Sequence, residues 1–201
     1  MNPQEPLYVT SHVNDIKICR PGAKAFKELL HQKFPAKPHN LEHYLGLDIK
    51  RNRAQCTIHL SQTSYIVSII KEFSHLTVNS NVPISSYIKD DPDTKPTPEE
   101  VHLYQQITGK LMHLTCQSRP DMHFAVIHIA RYTTKPPPDA WRVIREILGY
   151  ISCILTYGIT IKGTDDEIQL QQYSDASFAT GAKGRSISGR ITLLNGIPII
   201  W

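Results

Sequence analysis

Asp175 is the residue with the clearest chemical prospect. It lies in Tyr173-Ser174-Asp175-Ala176-Ser177-Phe178, and an aspartate at a strand end suits a metal ligand. Alone it falls short of two-metal phosphoryl transfer, which needs ions about 3.5–4 Å apart in a clamp of carboxylates. Asp15 sits in His12-Val13-Asn14-Asp15 between two short apolar runs, where a turn aspartate is the simplest reading. Lys50, Arg51 and Arg53 cluster close to Tyr44-Leu45-Gly46, and Lys183 and Arg185 follow Asp175. Such cations can meet phosphates, and a glycine lets the backbone approach a sugar-phosphate chain closely. Solvated turns and a twisted strand are the plain alternatives.

Composition narrows the field without choosing a function. With 201 residues, 40% hydrophobic and 20% charged, the chain can bury a core and is not of disordered type. A net charge of +4 tolerates a polyanionic partner but does not require one. No run approaches the ~20 apolar residues of a membrane span, and Met1-Asn2-Pro3-Gln4-Glu5-Pro6 lacks the features of a secretion signal. The four cysteines are far apart with no Cys-x-x-Cys, so a zinc site built on such a pair is excluded. His123 and His128 are five apart and read as ordinary.

The elements that must hold these residues follow from apolar spacing. Tyr8 to Cys19 reads as a β-hairpin broken at Pro21-Gly22, and Ala23 to Phe34 as a helix through Phe26, Leu29, Leu30 and Phe34. Tyr44–Ile49 and Cys56–Leu60 read as strands turned at Arg51-Asn52-Arg53, and Ser61 as the N-cap of a helix through Phe73. Residues 79–98 hold four prolines and read as a linker. Helices follow from Pro98 to about Cys116, from Arg119-Pro120-Asp121 through Tyr132, and from Trp141 to about Cys153 with Asp139 as cap. From about Tyr157 a three-stranded antiparallel meander is expected, its last turn at Asn195-Gly196.

Several blocks together resemble the Pol polyprotein of copia-like retrotransposons. His43-Tyr44-Leu45-Gly46-Leu47-Asp48-Ile49 is similar to the hairpin after the polymerase site. Gly109-Lys110-Leu111-Met112-His113-Leu114-Thr115-Cys116 with Arg119-Pro120-Asp121, and Trp141 with Leu148-Gly149-Tyr150, resemble later blocks in the family's order. The segment from Tyr173 to Phe178 with Arg185-Ser186-Ile187-Ser188-Gly189 resembles the opening of its ribonuclease H domain.

The resemblance implies an α+β fold. It comprises a reverse transcriptase palm/thumb remnant (1–78), a Pro-rich linker (79–98), a helical connection segment (99–156) and a truncated ribonuclease H-like meander (157–201). The chain is expected to stop within that last domain, leaving the meander with an uncovered face. The family's Tyr-Val-Asp-Asp aligns with His12-Val13-Asn14-Asp15, or in another register begins at Tyr8-Val9; neither supplies an adjacent aspartate pair. Asp15 and Asp175 become relict catalytic and metal positions. Magnesium, the parent cofactor, prefers charged oxygen ligands, so no working ion is expected here. Tyr44, Leu45 and Gly46 resemble a primer grip, and with Lys50, Arg51, Arg53, Lys183 and Arg185 they form the expected nucleic-acid contacts.

The expected function is therefore that of a degenerate fragment without catalysis. Weak, sequence-independent contact with RNA or DNA is its expected partnership, with no membrane and an intracellular setting. A retained nucleic-acid-binding module and a piece of a longer active polyprotein are the alternatives.

Overall fold

Among the described glycines, the one with least room for a side chain lies in a helix. In a computed structural model describing residues 7–13, 15–19, 23–35, 41–164, 167–178 and 186–201, a Cβ on Gly149 would lie 1.8 Å from the Val78 carbonyl oxygen. Any side chain there would drive the helix off the segment that follows Val78. The chain divides into two units, Met1–Tyr44 and Leu45–Trp201.

The first unit pairs β1 (Tyr8–His12) with β2 (Asp15–Cys19) antiparallel, followed by helix α1 (Ala23–Lys33) and the two-residue β3 (His43–Tyr44). The expected hairpin and helix are both present. His12 pairs opposite Asp15, and Val13 takes a positive φ of 49°. None of this unit's described residues is buried: Leu29 is 56% exposed and Phe34 61%, so these elements hold no core of their own.

The second unit has a helical core. Helix α2 (Thr63–Glu72), α3 (Pro98–Gln117), α4 (His123–Ala130) and α5 (Pro138–Cys153) bury Ile66, Ile69, Tyr104, Leu111, Ile144 and Leu148 completely. Their starts differ in kind. Thr97 and Glu100 form a reciprocal capping box ahead of Pro98. For α2 the expected cap, Ser61, is instead buried in a strand. Asp48 supplies the missing acceptor from a distance, taking the Ser64 amide at 2.9 Å and its hydroxyl at 3.1 Å. Asp139 likewise lies inside α5 and does not cap it; its carboxylate takes the Lys89 amide at 2.8 Å and Arg142 Nε at 2.6 Å.

Two antiparallel sheets flank the helices. β4 (Leu47–Asn52), β5 (Thr57–Ser61) and β6 (Gly158–Lys162) pair in that order. β7 (Leu170–Ser177), β8 (Ile187–Leu194) and β9 (Ile197–Ile200) form the terminal meander, turned at Asn195-Gly196 as expected. The fold is thus α+β. One strand changes sheets relative to expectation: Gly158–Lys162 does not open the meander but pairs with β5, Leu60 opposite Ile159. The turn expected at residues 51–53 lies at Arg53–Cys56, with Arg51 and Asn52 still in β4.

Residues 79–97 form neither helix nor strand, yet they are fastened along α4 and α5. Glu146 takes the Ser85 amide at 3.0 Å and its hydroxyl at 2.7 Å, and Arg142 reaches the Ser86 carbonyl at 3.2 Å. Ile88 is buried in the core, its amide donating to His128 Nε2 at 3.2 Å. Prolines withhold regular structure here, and polar side chains on the helices satisfy the backbone instead.

Overpacking at a backbone contact typically costs about 1–3 kcal/mol. Gly149→Ala should therefore lower the stability read by urea unfolding by about 2–3 kcal/mol. Gly109→Ala in α3, where a Cβ meets nothing within 4 Å, should be neutral or gain up to ~1 kcal/mol. Equal midpoints for the two variants would contradict the close approach at Val78.

Candidate functional site

Strand alternation decides the fate of the first basic cluster. Successive residues of β4 point to opposite faces, so Lys50 shares a face with its partner His59 while Arg51 pairs opposite Ile58 on the other. His59 is held in turn by Thr160 Oγ1 and the Thr156 carbonyl, both at 2.9 Å. Arg53 lies past the strand in the turn. All three cations are exposed, but they do not make one patch.

Tyr44, Leu45 and Gly46 do not form a continuous strand with Leu47. Leu45 and Gly46 take positive φ values of 51° and 80°, a left-handed pair that glycine adopts without strain. Backbone conformation therefore accounts for Gly46. The Tyr44 ring carries the Lys17 ammonium 5.9 Å from its centroid, a cation absent from the sequence-level set. Asp15 is an exposed residue at the start of β2. Asn14, Lys183 and Arg185 lie outside the described residues.

Asp175 has the more developed setting. It sits in β7 opposite Gly189, with Ser174 opposite Arg190, and its Oδ1 takes the Ala176 amide at 2.9 Å. A groove of about 1030 Å³ runs between this sheet and α4, lined by Asp175, Arg190, His123, Phe124, Arg131 and Trp201 among others. Burial holds the His123 imidazole below its ordinary pKa. Sequence reading did not find Arg131, Arg190, His123, Phe124 or Trp201. No two-residue turn joins β7 to β8, so nothing local announced which residue would stand beside Asp175.

Strand alternation sets Asp175 and Arg190 on opposite faces of the sheet. The groove lining holds two arginines and an imidazole and, among the described residues, no carboxylate besides Asp175. Among those residues, too, no three His, Cys, Asp or Glu side chains gather as a metal site would require. Magnesium needs near-octahedral oxygen ligands with carboxylate charge, and this donor set does not fit it. What the groove can do is hold an anion: two guanidiniums for phosphate and two aromatic rings for stacking.

Beside the groove, Arg119 is fully buried. Its Nε and Nη2 donate to Asp121 at 2.9 and 2.8 Å, and its guanidinium lies 5.5 Å from the ring centroids of both Tyr150 and Tyr157. Asp121 also accepts from the Tyr150 hydroxyl at 2.9 Å. Burial, then this bond to a carboxylate, raises the phenol's pKa.

Comparison with known proteins bears on these blocks. No protein-family model matches the chain, and no solved structure does. The Pol polyprotein of transposon RE2 from Arabidopsis thaliana is 30% identical over 207 residues, covering 97% of this chain and 14% of that polyprotein. A transposon Ty5-1 protein from Saccharomyces cerevisiae is 25% identical over 202 residues, covering 98% of this chain and 65% of that protein. The chain belongs to the Pol polyproteins of copia-like retrotransposons. A protein named as a secreted RxLR effector from Plasmopara viticola also matches, 34% identical over 101 residues, 49% of this chain and 69% of that protein. The Pol chain thus spans about one seventh of the RE2 polyprotein's length. Its Arg119-Pro120-Asp121 block proves to be a packing device, not a reactive one.

Trp201, which also lines the groove, donates its indole N–H to the Thr115 carbonyl at 2.8 Å. Trp201→Ala should leave the helical content by circular dichroism unchanged but speed tryptic cleavage within residues 167–201, read by intact mass. Equal cleavage rates in both proteins would show that β6 and β9 hold the meander without the indole.

Proposed function

We propose that this Pol-family chain is a catalytically inactive derivative of a reverse transcriptase and ribonuclease H region. On this reading residues 1–78 derive from palm and thumb, the later helices from the connection, and β7–β9 from the ribonuclease H opening. The setting of Asp175 carries the proposal. It is one exposed carboxylate, bonded to its neighbour's amide, in a groove whose lining holds no second carboxylate among the described residues. Phosphoryl transfer by two ions needs several carboxylates converging within ~4 Å, and Asp15, likewise exposed on a short strand, brings no such company. In the parent family magnesium would supply the charge that stabilises the transferring phosphoryl group; the described residues do not fit that ion.

A residual capacity to hold nucleic acid is favoured by the same groove. Arg131 and Arg190 can meet phosphates, and Phe124, 53% exposed, offers a stacking face. The charge count allows only weak binding, without sequence preference.

Primer extension and hybrid degradation by the purified chain, with magnesium or manganese, should both give no product. Templated incorporation lost on Asp15→Ala, or hybrid cleavage lost on Asp175→Asn, would overturn the inactive reading.

Binding of a fluorescent single strand should weaken with salt at a slope of about −1.4, as two phosphate contacts give. Arg131→Ala with Arg190→Ala should flatten that slope. Replacing Lys50, Arg51 and Arg53 together should change it less, because those side chains diverge. The reverse order of effects would move the contact surface to β4.

A further inference from the structure

The segment 79–97 is held to the helices by side chains, and one of its anchors differs in kind from the others. Glu146, Asp139 and Arg142 hold Ser85, Ser86 and Lys89 through charged groups on α5. Ile88, the one buried residue of the segment, instead gives its amide to an imidazole, His128 Nε2, at 3.2 Å. A ring nitrogen accepts only while it carries no proton. The ring is 6% exposed, stacked on Phe124 at 5.9 Å and edge-on to Tyr87 and Tyr132 at 5.5 and 6.2 Å. Protonation would leave a charge in an apolar cage and two N–H groups facing each other across the contact.

We propose that His128 is a proton-sensitive latch, holding the segment around Ile88 against α4 at neutral pH and releasing it in mild acid. Arg131, from the turn after α4, is the charged group acting on the ring, and the Tyr87 and Tyr132 phenols are the titratable side chains packed against it. Burial first, and then the Arg131 charge, hold the imidazole below its ordinary value of 6.5. The other anchors keep their charge through the same window. Asp139 lies below the usual carboxylate range, chiefly through its bond from Arg142. For Glu146 burial pushes the carboxyl up, but the bonds from Ser85 and Arg142 outweigh it and leave it lowered.

The sign follows from linkage. The released ring takes its proton near 6.5 and the latched ring only lower, so the latch is fully closed above that value and loosens as pH falls through it. Phe124, stacked on His128, also lines the groove, so release loosens one groove wall as well.

Amide hydrogen exchange of the full chain, corrected for intrinsic rates, tests this. Protection of the Ile88 amide should fall about tenfold between about pH 7.5 and about pH 5.5, while amides in the middle of α3 keep theirs. His128→Gln, whose side-chain oxygen can accept without binding a proton, should make Ile88 protection independent of pH. His128→Phe, a ring with no acceptor, should leave Ile88 weakly protected at both values. Should neither variant fold, an NMR titration of the His128 ring in the native chain decides: a midpoint below 6.5 supports the latch, and one at or above it overturns it. Unchanged Ile88 protection in the native chain, or an equal loss in His128→Gln, would also overturn it.

Discussion

A guanidinium removed from water constrains the second unit more than any other single group. Arg119 is fully buried, and a charge in such a place is tolerable only when paired and hydrogen-bonded. Its partners come from three directions: Asp121 on the following turn, Tyr150 on α5, and Tyr157 at the entry to β6. Satisfying one cation therefore fixes where α5 ends and where β6 begins. Its backbone is bound too, since Thr115 Oγ1 donates to the Arg119 carbonyl at 2.8 Å and the Thr115 carbonyl takes the Trp201 indole. Nη1 has no hydrogen-bond partner, and the two tyrosine faces are what compensate its charge.

The same logic governs the segment over α4 and α5, with less burial. Carboxylate and guanidinium groups would mean little as surface ion pairs. Here Arg142 and Glu146 bond the segment's backbone as well as each other, so they supply hydrogen bonds the prolines withhold. Close approach completes the attachment at Gly149, where helix and segment touch backbone to backbone. A helix surface and an irregular chain thereby become one core, with Ile88 inside it.

These constraints place the family's hallmark blocks in a different light. Arg119-Pro120-Asp121, Tyr150 and Gly149 are explained by packing. The residues with chemical promise, Asp175, Arg131 and Arg190, meet only in the groove between α4 and the meander. Among the described residues its lining combines two arginines, aromatic surface and a single carboxylate. That donor set suits an anion better than a divalent ion.

Local patterns sufficed for most elements. Apolar spacing at the helical period marks α1 through α5, alternation marks the strands, and Asn195-Gly196 with φ values of 48° and 77° makes the final turn its dipeptide foretells. The family resemblance was legible as well, because it rests on residue order alone. Tertiary structure decided what spacing cannot encode. Asp48 caps α2 from another element, Gly158–Lys162 joins β5 instead of the meander, and residues 79–97 pack where composition suggested a tether. The candidate site depended on it most. Lys50 and Arg51 are adjacent in sequence but opposed across a pleat, whereas Arg131 and Asp175 are far apart in sequence yet line one groove. Sequence neighbours on a strand are separated by geometry, and distant residues are united by packing, which no one-dimensional pattern records.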